Sequence, residues 1–369
     1  MSQSSTATRT LLFPPPSSFS SMLRPSFVAL LGSVGVANAW FRVPCTDPLV
    51  SERLDPIISP GGNPSNHVHT INGGSNFNPT YTYDNLRASN CTNCLVAQDL
   101  SNYWYPKLYF QDPSTKEFEP VPNGGLLVYY QNRGDGDVGN GGAGLKAFPP
   151  GLKMITGDPK RRTKKICYWP GNPGRVARTR DPMGFLGGGT GFPTTDCEAG
   201  FNARLHMPAC WDGVNLDSAD HVSHTAFLSG LDNGSCPPGF VYMMKLFYEV
   251  TWTVTDFAGR WNPAKDAWPF AYAHGDPTGF GWHGDFQNGW DTGVLQSAID
   301  KCNNPNDDTG AGITTACSYL TVKTQNLSNQ CKIQPVEVIN GTLAKLPGCN
   351  PLQYGPQDAT IYTPATCPQ

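Results

Sequence analysis

Glycine and proline interrupt this chain too often for long helices: 40 Gly and 34 Pro are spread through 369 residues, of which only 15% are charged. Glycine costs backbone entropy inside a helix, and proline removes a donor and clashes with the preceding turn. The composition therefore predicts short strands joined by long loops, a mainly β fold of the β-sandwich or jelly-roll-like kind. The clearest strand is residues 244–254, MKLFYEVTWTV, where strict alternation puts Leu246, Tyr248, Val250 and Trp252 on one face. Glu249 on the other face has to be paired or functional, because a carboxylate among so many apolar side chains is costly alone. Residues 99–110 and 124–130 read as further strands, and residues 294–302 as a short helix.

The length allows one large domain or two ordinary ones, and no repeat at a fixed period supports a propeller or solenoid. A net charge of -3 and a pI near 6.1 do not recommend a nucleic-acid or anionic-membrane partner. The glycine-rich segment 132–144 lacks the spacing of a phosphate loop and reads as a surface loop. The basic run 160–165, KRRTKK, reads as the solvated face of a hairpin.

Met22, followed by Arg24, the apolar run 27–36 and Ala37-Asn38-Ala39, has the order of a signal peptide with its cleavage site. Residues 1–39 are thus an upstream extension plus signal, and the mature protein is expected to begin at Trp40, outside the cell and without a membrane span. Twelve cysteines, all downstream, predict disulfides. That includes Cys91 and Cys94, whose C-x-x-C spacing lacks the βαβ context of a redox motif. Sequons at Asn90, Asn233, Asn326 and Asn340 agree with a glycoprotein. The expected organisation is a β-rich domain over residues 40–300 and a cysteine-rich extension over 301–369 packed on it, in a monomer.

Residues 274–291, HGDPTGFGWHGDFQNGWD, hold two His-Gly-Asp triplets with Trp282 and Trp290. Glycine lets a backbone turn or approach closely, while His and Asp together move protons or hold a metal. In an extended segment, His67 and His69 would point to one face, which suits either a metal site lacking a third ligand or buried hydrogen bonds. Asn102, Tyr103 and Trp104 are either core or a surface on which sugar rings stack. Trp211 and Asp212 have turn chemistry, and His221 lies in a D-H-x-x-H cluster without the HExxH signature of zinc proteases. In the first segment Arg42, Glu52, Arg53 and Asp55 are charges that either pair at the surface or reach a site.

The ordered set WFRVPC, DPI, the His67-x-His69 segment with GGSNF, SNYWYP, CWDG, DHVSH, LFYEVTW and GWHGDFQNGWD resembles the DUF1996 family, secreted fungal and bacterial proteins of uncharacterised function. Members are often attached to carbohydrate-binding modules, which implies a polysaccharide or cell-wall setting by association. The leading expectation is a carbohydrate-active enzyme, a glycoside hydrolase or polysaccharide lyase, working by His/Asp acid-base chemistry on cell-wall or plant polysaccharide. Its catalytic set is His67, His69, Tyr103, His221, Asp276, His283 and Asp285. Asn102, Trp104, Trp211, Asp212, Trp282 and Trp290 are its substrate-binding set, with no cofactor. One alternative is a secreted metal enzyme holding a divalent ion on His67, His69 and His283. The other is a noncatalytic wall or glycan-binding protein.

Overall fold

The computed structural model describes residues 39–61, 64–164, 191–193, 199–302, 312–337 and 339–368. The signal-like segment, Lys165 of the basic run, Cys167 and Cys197 lie outside these residues. Fifteen strands follow in chain order: β1 (Ala39–Cys45), β2 (Val50–Glu52), β3 (His69–Gly73), β4 (Asn102–Pro106), β5 (Leu108–Gln111), β6 (Phe118–Pro120), β7 (Asn123–Gln131), β8 (Lys153–Gly157), β9 (Phe201–His206), β10 (Cys210–Trp211), β11 (Thr225–Ala226), β12 (Val241–Tyr242), β13 (Lys245–Trp252), β14 (Phe270–Tyr272) and β15 (His283–Gln287). The α-helices are α1 (Tyr83–Arg87), α2 (Thr292–Lys301) and α3 (Gln325–Asn329).

Two antiparallel sheets build the body, one ordered β1-β7-β13-β9 and the other β2-β3-β4-β15-β8. They meet face to face. The Tyr248 hydroxyl on β13 donates to the Asp285 carbonyl on β15 at 3.2 Å, and the rings of Tyr103 and Tyr248 approach edge-on at 5.8 Å. Smaller sheets, β14-β5-β6 and β11-β10-β12, extend the two ends. The mainly β expectation is met, and the alternation in β13 buries Leu246, Tyr248, Val250 and Trp252 as read. Glu249 is paired, with Arg204 Nε at 3.0 Å and the Tyr129 hydroxyl at 2.8 Å. The predicted helix is α2, started by the Asp291 carboxylate accepting from the Val294 N–H, with Leu295, Ala298 and Ile299 turned inward.

Among the described residues, five disulfides join Cys45–Cys94, Cys91–Cys331, Cys210–Cys236, Cys302–Cys317 and Cys349–Cys367. Cys91 and Cys94 therefore serve different bridges, and Cys91–Cys331 ties the tail to the body. All four sequon asparagines are exposed. No described helix is long and apolar enough to cross a membrane.

Between the sheets lies a polar network that accounts for several aromatic residues. Asp99 accepts from the Tyr103 hydroxyl and from the Ser101 N–H, while Tyr103 and Tyr130 hydroxyls stand 2.6 Å apart and Trp290 Nε1 donates to Tyr130 at 2.8 Å. Burial raises the Asp99 pKa to about 6 against these lowering hydrogen bonds. Between pH 4 and 6 the folded protein consequently holds a proton that the unfolded chain releases, and stability falls as pH rises through that window. At ~1.36 kcal/mol per unit the loss is roughly 3 kcal/mol. Urea unfolding at pH 4 and pH 7 should show it as a difference between the native protein and Asp99→Asn; identical pH dependence in the two would exclude it.

Candidate functional site

The site forms where three segments meet at one end of the interior strands of the five-stranded sheet. The chain entering β3 carries His67 and His69, the turn after β14 carries His274, and β15 begins at His283. The two entering imidazoles do lie on one side, with ring centroids 4.3 Å apart. β15 pairs β8 with His283 opposite Gly157. A Cβ on Gly157 would lie 2.4 Å from the Trp282 carbonyl and its φ is +88°, so glycine is what lets His283 sit there.

The ligating nitrogens of His67, His274 and His283 all fall within 4.8 Å of one another. His67 Nε2 and His283 Nε2 are 3.0 Å apart. His283 Nδ1 is 2.7 Å from the Gly281 carbonyl and His69 Nδ1 is 2.9 Å from the Leu54 carbonyl. A carbonyl only accepts, so each of these Nδ1 atoms carries the proton and each Nε2 presents its lone pair inward. His69 Nε2 and both nitrogens of His274 have no hydrogen-bond partner. All four imidazoles are held neutral: burial lowers His69 and His283 to about 4 and His67 and His274 well below their usual range, with mutual repulsion adding at His67, His274 and His283. With its Nδ1 proton on the Gly281 carbonyl, His283 accepts at Nε2 from His67 Nε2–H; neutral imidazoles are the state that binds a transition ion, which would replace that shared proton between the two rings. Nitrogens on one tetrahedral zinc ion would be about 3.3 Å apart, close to the spacing observed between His67 and His283. The converging trio differs from the one anticipated in sequence: His274 replaces His69, because the turn at Gly275 swings His274 back over the cluster.

Asp276 organises that turn. Its Oδ1 accepts from the Thr278 N–H at 2.7 Å and its Oδ2 from the Gly281 N–H at 2.7 Å. Arg162 Nε lies 3.6 Å from Asp276, both side chains fully buried, while Arg162 also donates to the carbonyls of Pro159, Arg161 and Gln353 and to that of His274. Arg162 thereby corrects the reading of run 160–165 as a solvated face: Lys160 and Lys164 are exposed, but Arg162 points inward because a buried carboxylate awaits it. Gly281 closes the arrangement. An added Cβ would lie 2.5 Å from His274 Nε2 and 2.9 Å from Asp276 Oδ2. Gly281→Ala is expected to displace the His274 ring and to cost about 1–3 kcal/mol from overpacking. Thermal melting with and without zinc chloride checks both effects, and an unaltered melt would mean the ring has room to move.

Beside the cluster lies a cavity of about 180 Å³ whose lining includes His67, His274, His283, Asp55 and Asp285. Asp55 Oδ1 accepts from the N–H groups of Ile57 and Ile58 at 3.0 and 3.1 Å, yet burial still raises its pKa. Asp285 is pushed well up, by burial first and then by Asp55, and its Oδ2 lacks a partner. The tail supplies the remaining wall with Asn350 and residues 359–361.

Of the residues singled out from sequence, His67, His283 and Asp285 line the cavity, and His69 and Asp276 support its histidines from behind. The others are elsewhere. Tyr103, Trp104, Trp282 and Trp290 are core side chains, at most 1% exposed, and Asn102 is buried with its amide donating to the carbonyls of Asn72 and Gly74. Trp211 Nε1 donates to the Asn215 carbonyl and Asp212 accepts from the Val214 and Asn215 N–H groups, which makes both parts of one turn. His221 pairs with Asp217 at 2.8 Å and does not line the cavity. Sequence reasoning left His274, Arg162 and the tail out of the site and offered Asp55 only as one of four charges that either pair at the surface or reach it; the first triplet signalled His274, while the tail gave no signal at all.

No curated protein and no solved structure matches the chain. The family described as a domain of unknown function, DUF1996, matches residues 55–290, a span that holds all four clustered histidines and both carboxyls. On that match, which covers well over half of its length, the chain belongs to the DUF1996 family.

Proposed function

We propose that this chain is a secreted metal-dependent enzyme whose centre is His67, His274 and His283, acting in the setting of cell-wall or plant polysaccharide. One observation carries the reading: three neutral imidazoles of distant sequence origin bring their nitrogens within 4.8 Å of one another at the wall of a cavity. Packing alone gives no reason to bury three such groups together, since at their Nε2 atoms His67 and His283 have only each other and His274 has no hydrogen-bond partner on either nitrogen. Three protein ligands leave a position open towards the cavity, as in catalytic rather than structural sites. A bound dication would activate water or polarise a carbonyl there, and its field would also oppose the protonation of Asp55 and Asp285. Secretion rests on the signal-like segment, the disulfides and the exposed sequons.

A second reading, acid-base cleavage of a polysaccharide without metal, is favoured by the two carboxyls, Asp55 and Asp285, in one cavity. The two are separable. Protein secreted from a host without an affinity tag should carry close to one transition ion per chain by elemental analysis, lose it to a chelator, and fail to retain it in His274→Ala. Metal-free protein that binds no zinc, manganese or copper on titration would exclude the metal reading and leave the acid-base one.

A further inference from the structure

The cavity is small, and its histidine wall adjoins an apolar one, which limits what suits it. At about 180 Å³ it falls below the range of roughly 300–1,000 Å³ usual for whole small-molecule ligands. Its lining joins polar groups, among them Asp55, Ser65 and Asn350, to an apolar side made by Ile58, Ile155 and Ile361, of which Ile58 and Ile361 remain 54% and 50% exposed. A pyranose needs a partner for each hydroxyl and an aromatic face to stack on. The tryptophans expected to provide that face, Trp104, Trp282 and Trp290, are all in the core.

Resting on the metal centre argued above, we propose that the cavity takes the short acyl group of a carboxylic ester or amide, so that the enzyme removes an acyl substituent instead of cutting a glycosidic bond. The acyl chain lies between Ile58 and Ile361, with its carbonyl towards His67, His274 and His283. Water adds to the carbonyl carbon, the C–O or C–N bond breaks, the carboxylic acid leaves, and the proton lost by water passes to the departing alcohol or amine. No oxidant or second substrate is needed. The polyol or other carrier is engaged only through the oxygen or nitrogen that departs.

The tail sets the acyl length. Ala359 N–H donates to the Lys160 carbonyl at 2.6 Å, Gln353 N–H to the Gly275 carbonyl at 3.0 Å, and the Gln353 side chain closes on the Thr360 backbone at 2.9 and 3.0 Å. Ile361 is therefore held as a fixed wall, with Cys349–Cys367 bracketing the segment.

The test uses the full secreted chain with zinc chloride and 4-nitrophenyl acetate, butyrate and octanoate. The expected result is hydrolysis at least tenfold above free zinc for acetate and butyrate, with octanoate poor. Ile361→Trp, which narrows the mouth, should lower the butyrate rate at least tenfold while zinc affinity by calorimetry stays the same; Ile361→Ala should improve octanoate. Zinc binding without hydrolysis of any of the three esters, or of the matching anilides, overturns the acyl assignment and leaves the metal centre standing. No zinc binding removes the centre and the acyl assignment with it. Unchanged length preference in both Ile361 variants overturns the assigned wall.

Discussion

His283→Ala is expected to lower affinity for zinc by about 100-fold or more, because removing even an outer partner of a ligating imidazole costs 10–100-fold and this substitution removes the ligand itself. The ring is the best prepared of the cluster: its Nδ1 is committed to the Gly281 carbonyl and its Nε2 faces His67 at 3.0 Å. His69→Ala should do less, since its nitrogen is not among the converging three, and His221→Ala should do nothing to binding, paired as it is with Asp217 away from the cavity. Calorimetric titration gives the three affinities in one experiment. The melting temperature supplies a second readout: an ion at 100 times its Kd stabilises by ~2.7 kcal/mol, and that increment should vanish only in the variants that lose the site. Equal zinc affinities in all three would rule out this ligand assignment.

The second large effect belongs to the buried ion pair behind His274. Asp276→Ala should destabilise the protein by about 3–5 kcal/mol, the usual result of leaving one member of a buried ion pair without the other. Both Arg162 and Asp276 are fully buried, and Asp276 also holds the Thr278 and Gly281 N–H groups, so its loss unpins the turn that carries His274. Arg260 offers the contrast. It pairs with Asp112 and Glu119 at a solvent-exposed site, where Arg260→Ala should cost no more than about 1 kcal/mol. Urea unfolding of both variants checks the ratio, and comparable losses would mean that Asp276 is not needed to compensate a buried charge.

Much of the frame was legible in the sequence for simple reasons. The period of two in β13, the helical pattern of residues 294–302 and the turn-rich composition are local signals, and local signals survive folding unless packing opposes them. The same locality misled at the aromatics. Trp282 neighbours His283 in sequence, but successive strand residues point to opposite faces, so His283 reaches the cavity while Trp282 turns into the core and gives its Nε1 to the Arg204 carbonyl. Tyr103 was attractive as an acid, yet its hydroxyl is spent on Asp99, a partner revealed only once the strands are packed. His274 and Arg162 are the converse: one sat in a recognised triplet and the other in a run of exposed cations, and what distinguishes them is a buried carboxylate that lies 114 positions beyond Arg162 and has no counterpart in pattern or period.

The family match begins at residue 55 and ends at residue 290, and neither point is a place where the molecule could be cut. β1 and β2 precede it but form edges of the two main sheets. Beyond it, Ile339 and Leu346 cover Val68, Tyr109, Phe118 and Ala273, with Leu343 exchanging backbone hydrogen bonds with Phe118. A recombinant fragment trimmed to the matched span would bare that apolar seam and lose the loop beside the histidines, leaving a sticky and unenclosed protein.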